Sequence, residues 1–312
     1  MILSVDNIKV NYDKFSVLKG ITFSVQKGER IVVVGESGCG KTTLLKTIAG
    51  YVQIRTGSIK IEEDSIKGPE EQLVPGHPKI KLVNQDFGLD NFHTVTENIR
   101  LRLLQFNQEY IDYRIATLLK VTGLEKYSKR LANDLSGGQK QRLAIARALA
   151  DEPEVLLLDE PFNQLDYFLR QRIENYIDDY LRKHNITLLL VSHSGEETMR
   201  WGERVLFLNN GKLEREDTPT QFYENPKNRK QAGFFGVLNT VFVDGKYISF
   251  RPHEYAIRAT NEFPIELKVD LEKVINKGWF YDHLLKYKKR SLNIYASEPI
   301  NIKQSIYIKP LF

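Results

Sequence analysis

Arg30-Ile31-Val32-Val33-Val34-Gly35-Glu36-Ser37-Gly38-Cys39-Gly40-Lys41-Thr42-Thr43-Leu44-Leu45 joins a short apolar run to a glycine-rich turn and then to a helical spacing of apolar residues. The run Arg30 to Val34 reads as a strand buried on both faces. Lys41 to Ala49, with Leu44, Leu45 and Ile48 on one side, reads as a helix. Between them, Gly35 to Thr42 fits the pattern G-x-x-x-x-G-K-[ST] in the strand–loop–helix setting that the pattern requires. Glycines let the backbone curl so that successive N–H groups point at phosphate oxygens, and the new helix adds its positive end. Lys41 supplies a mobile ammonium for the β- and γ-phosphates, and the Thr42 hydroxyl is suited to ligate Mg²⁺.

Outward from this loop, two more apolar runs of strand length follow, Val155-Leu156-Leu157-Leu158 and Thr187-Leu188-Leu189-Leu190-Val191, separated by an amphipathic helix over Tyr167 to Lys183. Doubly buried strands alternating with helices predict an α/β fold with a parallel sheet. The first of these runs delivers Asp159 and Glu160 at its C-terminal end, where such sheets bind ligands. Asp159 is placed to hold Mg²⁺ directly or through water, and Glu160 to orient or deprotonate an attacking water. Ile2 to Val10 and Ile21 to Val25 alternate as antiparallel strands do, and Val95 to Ala150 is mostly helical in spacing.

Past residue 218 the texture changes. The stretch Thr218 to Lys230 is polar with two prolines, and beyond it short β-type runs dominate, with Asp244-Gly245 as a hairpin signal. The domain reading is therefore 1–220 for the nucleotide domain, 221–239 for a linker and 240–312 for a small β-rich unit.

At 27% charged and 41% hydrophobic residues the chain has the composition of an ordinary globular protein. It lacks the roughly 18-residue apolar run that a membrane helix needs. Its N-terminus shows no basic segment leading into an apolar one, so no secretory signal is expected. One cysteine, Cys39, excludes an internal disulfide and fits a reducing, cytosolic setting. The net charge of +5 is concentrated after residue 220. No Arg-rich helix or dense aromatic–basic alternation accompanies it, so no nucleic acid is expected as a partner, and Lys286 to Arg290 reads as a solvated turn. Cys39 sits beside a helix N-terminus, which predicts a lowered thiol pKa and blockage of nucleotide binding by alkylation; a small buried filler is the alternative.

Leu135-Ser136-Gly137-Gly138-Gln139-Lys140-Gln141-Arg142 resembles the signature motif of ABC ATPases, which other P-loop proteins lack. A serine and two glycines at a helix start make a second anion-binding end with no lysine of its own. The resemblance spans about residues 1–220 and implies the family's ATPase domain, with parallel-sheet core, antiparallel β subdomain and helical subdomain. It implies two copies meeting head to tail, Mg-ATP held by Gly35 to Thr43 of one and capped by Ser136, Gly137, Gly138 and Gln139 of the other. By the same resemblance Tyr12 stacks on adenine, Gln85 senses Mg²⁺ and the attacking water, His193 contacts the γ-phosphate and Asp166 reaches across the dimer. Two places depart from the family pattern. Asn163-Gln164 stands where a serine and a small residue are common, and Ser194 stands where Asp usually follows the histidine.

Phe222-Tyr223-Glu224-Asn225-Pro226, Gly233-Phe234-Phe235-Gly236 and Phe250-Arg251-Pro252-His253 resemble importer ATPases that end in a small OB-like (TOBE-type) barrel. That likeness implies a cytoplasmic subunit on the inner face of the cell membrane. It powers uptake through separate permease subunits, with a solute-binding protein outside. An exporter ATPase, or an ABC ATPase acting on nucleic acid or ribosomes, is the alternative.

Overall fold

The computed structural model describes residues 1–12, 15–84, 86–150, 152–300, 302 and 305–311. They divide into two compact units, Met1–His193 with Glu197–Asp217, and Ser194–Glu196 with Thr218–Phe312.

In the first unit the elements run β1 (Leu3–Tyr12), β2 (Phe15–Val25), β3 (Arg30–Val34), α1 (Lys41–Ile48), β4 (Thr56–Ile61), β5 (Asp64–Ser65), β6 (Ile80–Val83), α2 (Val95–Arg100), α3 (Gln108–Thr122), α4 (Gly137–Ala150), β7 (Val155–Asp159), α5 (Tyr167–His184), β8 (Thr187–Val191), α6 (Gly195–Trp201, whose first two residues fall in the second unit), β9 (Arg204–Asn209) and β10 (Lys212–Asp217). The expected parallel sheet is present in the order β10-β9-β3-β8-β7-β6, parallel except for the edge strand β10. Its inner strands β7 and β8 are buried along their whole length, as continuous apolar runs require. A second, antiparallel sheet, β2-β1-β4-β5, shares one apolar core with the parallel sheet and α1.

The helical part is built from locally specified pieces. Thr94 and Glu97 form a reciprocal capping box on α2, Asn107 caps α3, and Gly123 ends it in the left-handed conformation. The alanine-rich α4 buries Ala144, Ala146, Ala148 and Ala150, so it can lie close to its neighbours. Among the described residues no helix is long and apolar enough to cross a membrane.

The second unit carries α7 (Pro219–Glu224), α8 (Arg229–Phe234), β11 (Asn239–Val243), β12 (Lys246–Phe250), β13 (Tyr255–Ala256), β14 (Ile265–Lys268), β15 (Asp270–Asn276), β16 (Tyr281–Tyr287), β17 (Arg290–Ala296) and β18 (Ser305–Ile308). Residues 221–239, read from sequence as a linker, thus hold helical turns. The β-strands pair in three small sheets, β11-β12, β13-β18-β14 and β15-β16-β17, around a common core that includes Val241, Phe250, Leu285, Ile294 and Ile306. Asp244 and Gly245 both take positive φ at the β11–β12 turn, as a two-residue hairpin demands. Lys288 does the same between β16 and β17.

Side-chain hydrogen bonds tie β11 to β17. The buried Asn239 side chain donates to Asn293 O at 2.7 Å and accepts from Asn293 N at 2.8 Å, imitating a strand pair. Asn239→Ala leaves both backbone groups without their partner. We expect it to lower the stability of the chain by about 2 kcal/mol, read as a shift in the denaturant midpoint of the second unit's transition.

Candidate phosphate site and its catalytic carboxylates

The parallel register brings three strand ends together. Val33 and Asp159 both pair with Val191, and Ser192 N donates to Val33 O. The glycine-rich loop after β3, the acidic pair at the end of β7 and the Ser192-His193 step after β8 therefore emerge at one edge.

The loop itself is shaped by close packing. Gly35 adopts φ 149°, and a Cβ there would fall 2.2 Å from Leu208 O and 2.8 Å from Cys39 Sγ, so no larger residue fits. Gly40 caps α1 in the left-handed conformation without a side-chain acceptor, and the first turn of the helix carries no acidic residue. Its leading N–H groups and positive end are therefore left for an anion. Lys41 is nearly buried and donates to Gly35 O at 2.8 Å and Glu36 O at 3.0 Å, so its ammonium lies over the loop. Ser37, Gly38, Gly40, Lys41, Thr42, Thr43 and Glu160 line a cleft of about 330 Å³ together with Val17 of β2.

Asp159 is 3% exposed, and neither carboxylate oxygen meets a hydrogen-bond donor. Burial pushes its pKa above the usual carboxylate range; Thr42 beside it pulls the other way without reaching hydrogen-bonding geometry, and the Glu160 charge raises it further. A buried, orphaned carboxylate next to a threonine hydroxyl fits a hard divalent cation. Mg²⁺ characteristically takes one or two protein oxygens and completes its shell with phosphate and water.

Glu160 takes φ 50°, a left-handed backbone uncommon for a side chain of this kind, and its N–H donates to Val191 O at 3.1 Å. One carboxylate oxygen accepts from Asn163 Nδ2 at 2.8 Å and the other lies 3.6 Å from His193 Nδ1. The His193 side chain is well exposed at 59%. Asn163 thus has a part that its divergence from the family pattern concealed: it fixes the carboxylate. Gln141 holds the backbone of the same residue, its side-chain amide donating to the Glu160 main-chain carbonyl oxygen at 3.2 Å. The signal available in sequence was the position of Gln141 on the inward side of an amphipathic helix.

The signature residues do not line this cleft. Ser136 and Gln139 cap α4 reciprocally, Ser136 N donating to Gln139 Oε1 at 3.0 Å and Ser136 Oγ accepting from Gln139 N at 3.4 Å. Gly138 is needed for close approach, since a Cβ would come within 2.9 Å of Gln164 O. Arg142 donates to Thr122 O at 2.8 Å and Gly123 O at 3.2 Å, closing the C-terminal end of α3. The α4 N-terminus carries no acidic first turn, and Ser136 and Gly137 are exposed. It is a second anion-receptive end, separate from the first.

Three expected site residues stand apart from this picture. Gln85 lies outside the described residues. Tyr12 is half-exposed at the tip of the β1–β2 hairpin, opposite the exposed Phe15, and it is Val17 of the same hairpin that reaches the cleft. Asp166 caps α5 by accepting from Leu169 N at 3.0 Å.

The reactive-thiol reading of Cys39 is overturned. Cys39 is 6% exposed and belongs to the apolar core; burial raises its pKa, and the Lys41 charge only partly offsets this. The buried-filler alternative holds.

A model of the ABC transporter family matches residues 18–163. The spermidine/putrescine import ATP-binding protein PotA of Thermotoga maritima is 38% identical over 239 residues, covering 76% of this chain and 64% of that protein, just under two thirds of its length. PotA of Mycoplasma capricolum is 32% identical over 339 aligned residues, 99% of this chain and 95% of that protein. A dimeric ATP-binding cassette solved after hydrolysis with ADP and Pi superposes with TM-score 0.63 at 29% identity, covering 70% of this chain and 99% of that one. An ATP-binding subunit of an ABC transporter gives TM-score 0.65 at 26% identity over 72% of this chain and 92% of that one.

Two outcomes check this geometry. Asp159→Asn relieves an orphaned buried charge and should raise the stability of the metal-free protein at neutral pH by about 1–3 kcal/mol. The wild-type penalty is absent below the ordinary carboxylate pKa and grows as pH rises through the raised folded-state value, so the gain should vanish in acid; thermal melts across pH read both. For Cys39, thiol labelling of the native protein should be slow at pH 7 and keep accelerating above the pH where a free cysteine has levelled off; fast labelling at pH 7 contradicts the buried assignment.

Proposed function

This chain belongs to the ABC transporter family, and on that premise we propose that it is the Mg-dependent ATPase subunit of an importer, active as a head-to-tail pair of copies. The carrying observation is that one chain holds a lysine-bearing cleft lined by Glu160 and a separate helix N-terminus, exposed at Ser136 and Gly137, that does not line it. Each is half of a site. A second copy supplies the missing half to both.

In this reading the Gly35–Thr43 backbone and Lys41 bind the triphosphate, and Thr42 and Asp159 hold Mg²⁺; Gln85 has the sensing role that the family resemblance implies. Bound there, the cation would neutralise charge on the β- and γ-phosphate oxygens. Glu160, steadied by Asn163, accepts a proton from the attacking water, and His193 stands on its far side as a donor toward the γ-phosphate. Gly137 and Gly138 of the partner copy present N–H groups to the same phosphate, between Ser136 and Gln139, whose reciprocal cap holds the helix start, so departure of the cleaved phosphate after hydrolysis removes the charge that joins the copies. Tyr12 stacks on the adenine, with Phe15 on the adjoining strand, and Asp166 adds a contact across the pair while capping its own helix.

The import direction is supported by the full-length likeness to PotA of Mycoplasma capricolum, which includes the small β-rich unit. Short aliphatic polyamines are the solute class that this likeness favours. Membrane-spanning permease subunits, and a solute-binding protein outside, complete the assembly and hold this chain at the inner face of the membrane.

Glu160→Gln keeps the size of the side chain and its bond from Asn163 but loses the base. We expect ATP-driven dimerisation to persist in size-exclusion chromatography while hydrolysis falls by about 10²-fold or more. Near-normal turnover would remove Glu160 from the role.

A further inference from the structure

Behind the Glu160–His193 pair lies a chain of charged side chains, none of which lines the phosphate cleft. Ser192, the residue before His193, is fully buried, and its hydroxyl donates to Glu197 Oε2 at 2.5 Å. Glu197, 4% exposed, pairs through its other oxygen with Arg170 Nη2 at 2.8 Å. Arg170 also donates through Nε to Glu174 Oε1 at 2.8 Å, and Glu174 Oε2 pairs with Arg200 Nη1 at 2.6 Å. The same Arg170 stands at the root of the catalytic loop. Its N–H donates to Asp166 O at 2.8 Å, and its guanidinium lies 5.8 Å from the ring of Phe162, two residues past Glu160. Phe162 in turn stacks on Trp201 of α6 at 5.9 Å.

Glu197 and Arg170 therefore join the two segments that carry His193 and Glu160. The His193 ring is exposed and lies 3.6 Å from Glu160, so neighbouring side chains do not wedge it in place. What fixes it is the backbone at Ser192, anchored by a buried hydroxyl–carboxylate bond. A buried ion pair adds little net stability but enforces geometry, since moving either charge leaves the other unpaired. We propose that Glu197, with Arg170, is a positioning residue that holds His193 at catalytic distance from Glu160. The proposal rests on the roles given above to His193 and Glu160.

The test uses the full chain and its ATPase activity, with ATP affinity measured separately. Glu197→Gln should lower kcat by about 10- to 100-fold, the cost of misplacing a reacting group by a fraction of an ångström to one ångström. KM and ATP affinity should stay within about twofold of wild type. In a His193→Ala background the same change should cost less than about twofold, because the group it positions is gone. Equal losses in both backgrounds, or a loss expressed in KM, would assign Glu197 to general structure and overturn the proposal. Ser192→Ala deletes only the hydroxyl from the same contact and supplies the same two readings if Glu197→Gln fails to fold. Slow turnover in His193→Ala with wild-type turnover in Glu197→Gln sinks the positioning role alone; wild-type turnover in His193→Ala sinks the reading of His193 as well.

Discussion

The register of β3, β8 and β7 is the constraint on which the site depends. Parallel strands offset by one residue would send every alternate side chain to the other face and move the loops along the edge by one step. As paired, Val33 and Asp159 share Val191 as neighbour, and the glycine-rich loop, the two carboxylates and His193 leave the sheet side by side. The ladder is buried on both faces, so slippage would expose no alternative apolar set and gain nothing. The loops that follow β7 and β8 are thus mounted on strands buried along their whole length.

Set on that frame, the electrostatics are unbalanced in the direction a phosphate–metal complex would correct. Two helix N-termini carry no acidic first turn, and Asp159 sits buried with no donor on either oxygen. Each of these costs stability in the free chain and is relieved by a ligand of the matching sign. The loop Glu160 to Asp166 joins the two ends: it presents its carboxylate to the cleft, and its Gln164 backbone lies directly beneath Gly138 of the signature helix. The cleft and the N-terminus of α4 are thus joined by a short, packed segment.

Several features were legible before any coordinates. The phosphate loop, the acidic strand end, the parallel sheet and the β-rich second unit follow from residue types and spacing that have few other uses. Cys39 shows the limit of such reading. Its place beside a helix N-terminus argued for an acidic thiol, but Gly35 leaves room beneath the loop and the sulfur turns into the core, where desolvation outweighs the Lys41 charge and the backbone hydrogen bonds. Asn163 shows the converse: a departure from the family pattern proved to be a hydrogen-bond partner of the Glu160 carboxylate.

By itself, then, the sequence determined where the glycine-rich loop and its lysine stand, which strand carries the acids and that a second glycine-bearing helix start lies apart from them. These are properties of local order, written in contiguous residues. Only the tertiary structure decided that Asp159 is orphaned, that Gln141 and Asn163 hold Glu160, and that Glu197 and Arg170 anchor the step before His193. Those contacts join positions far apart in the chain, and burial, which no single stretch encodes, sets their strength.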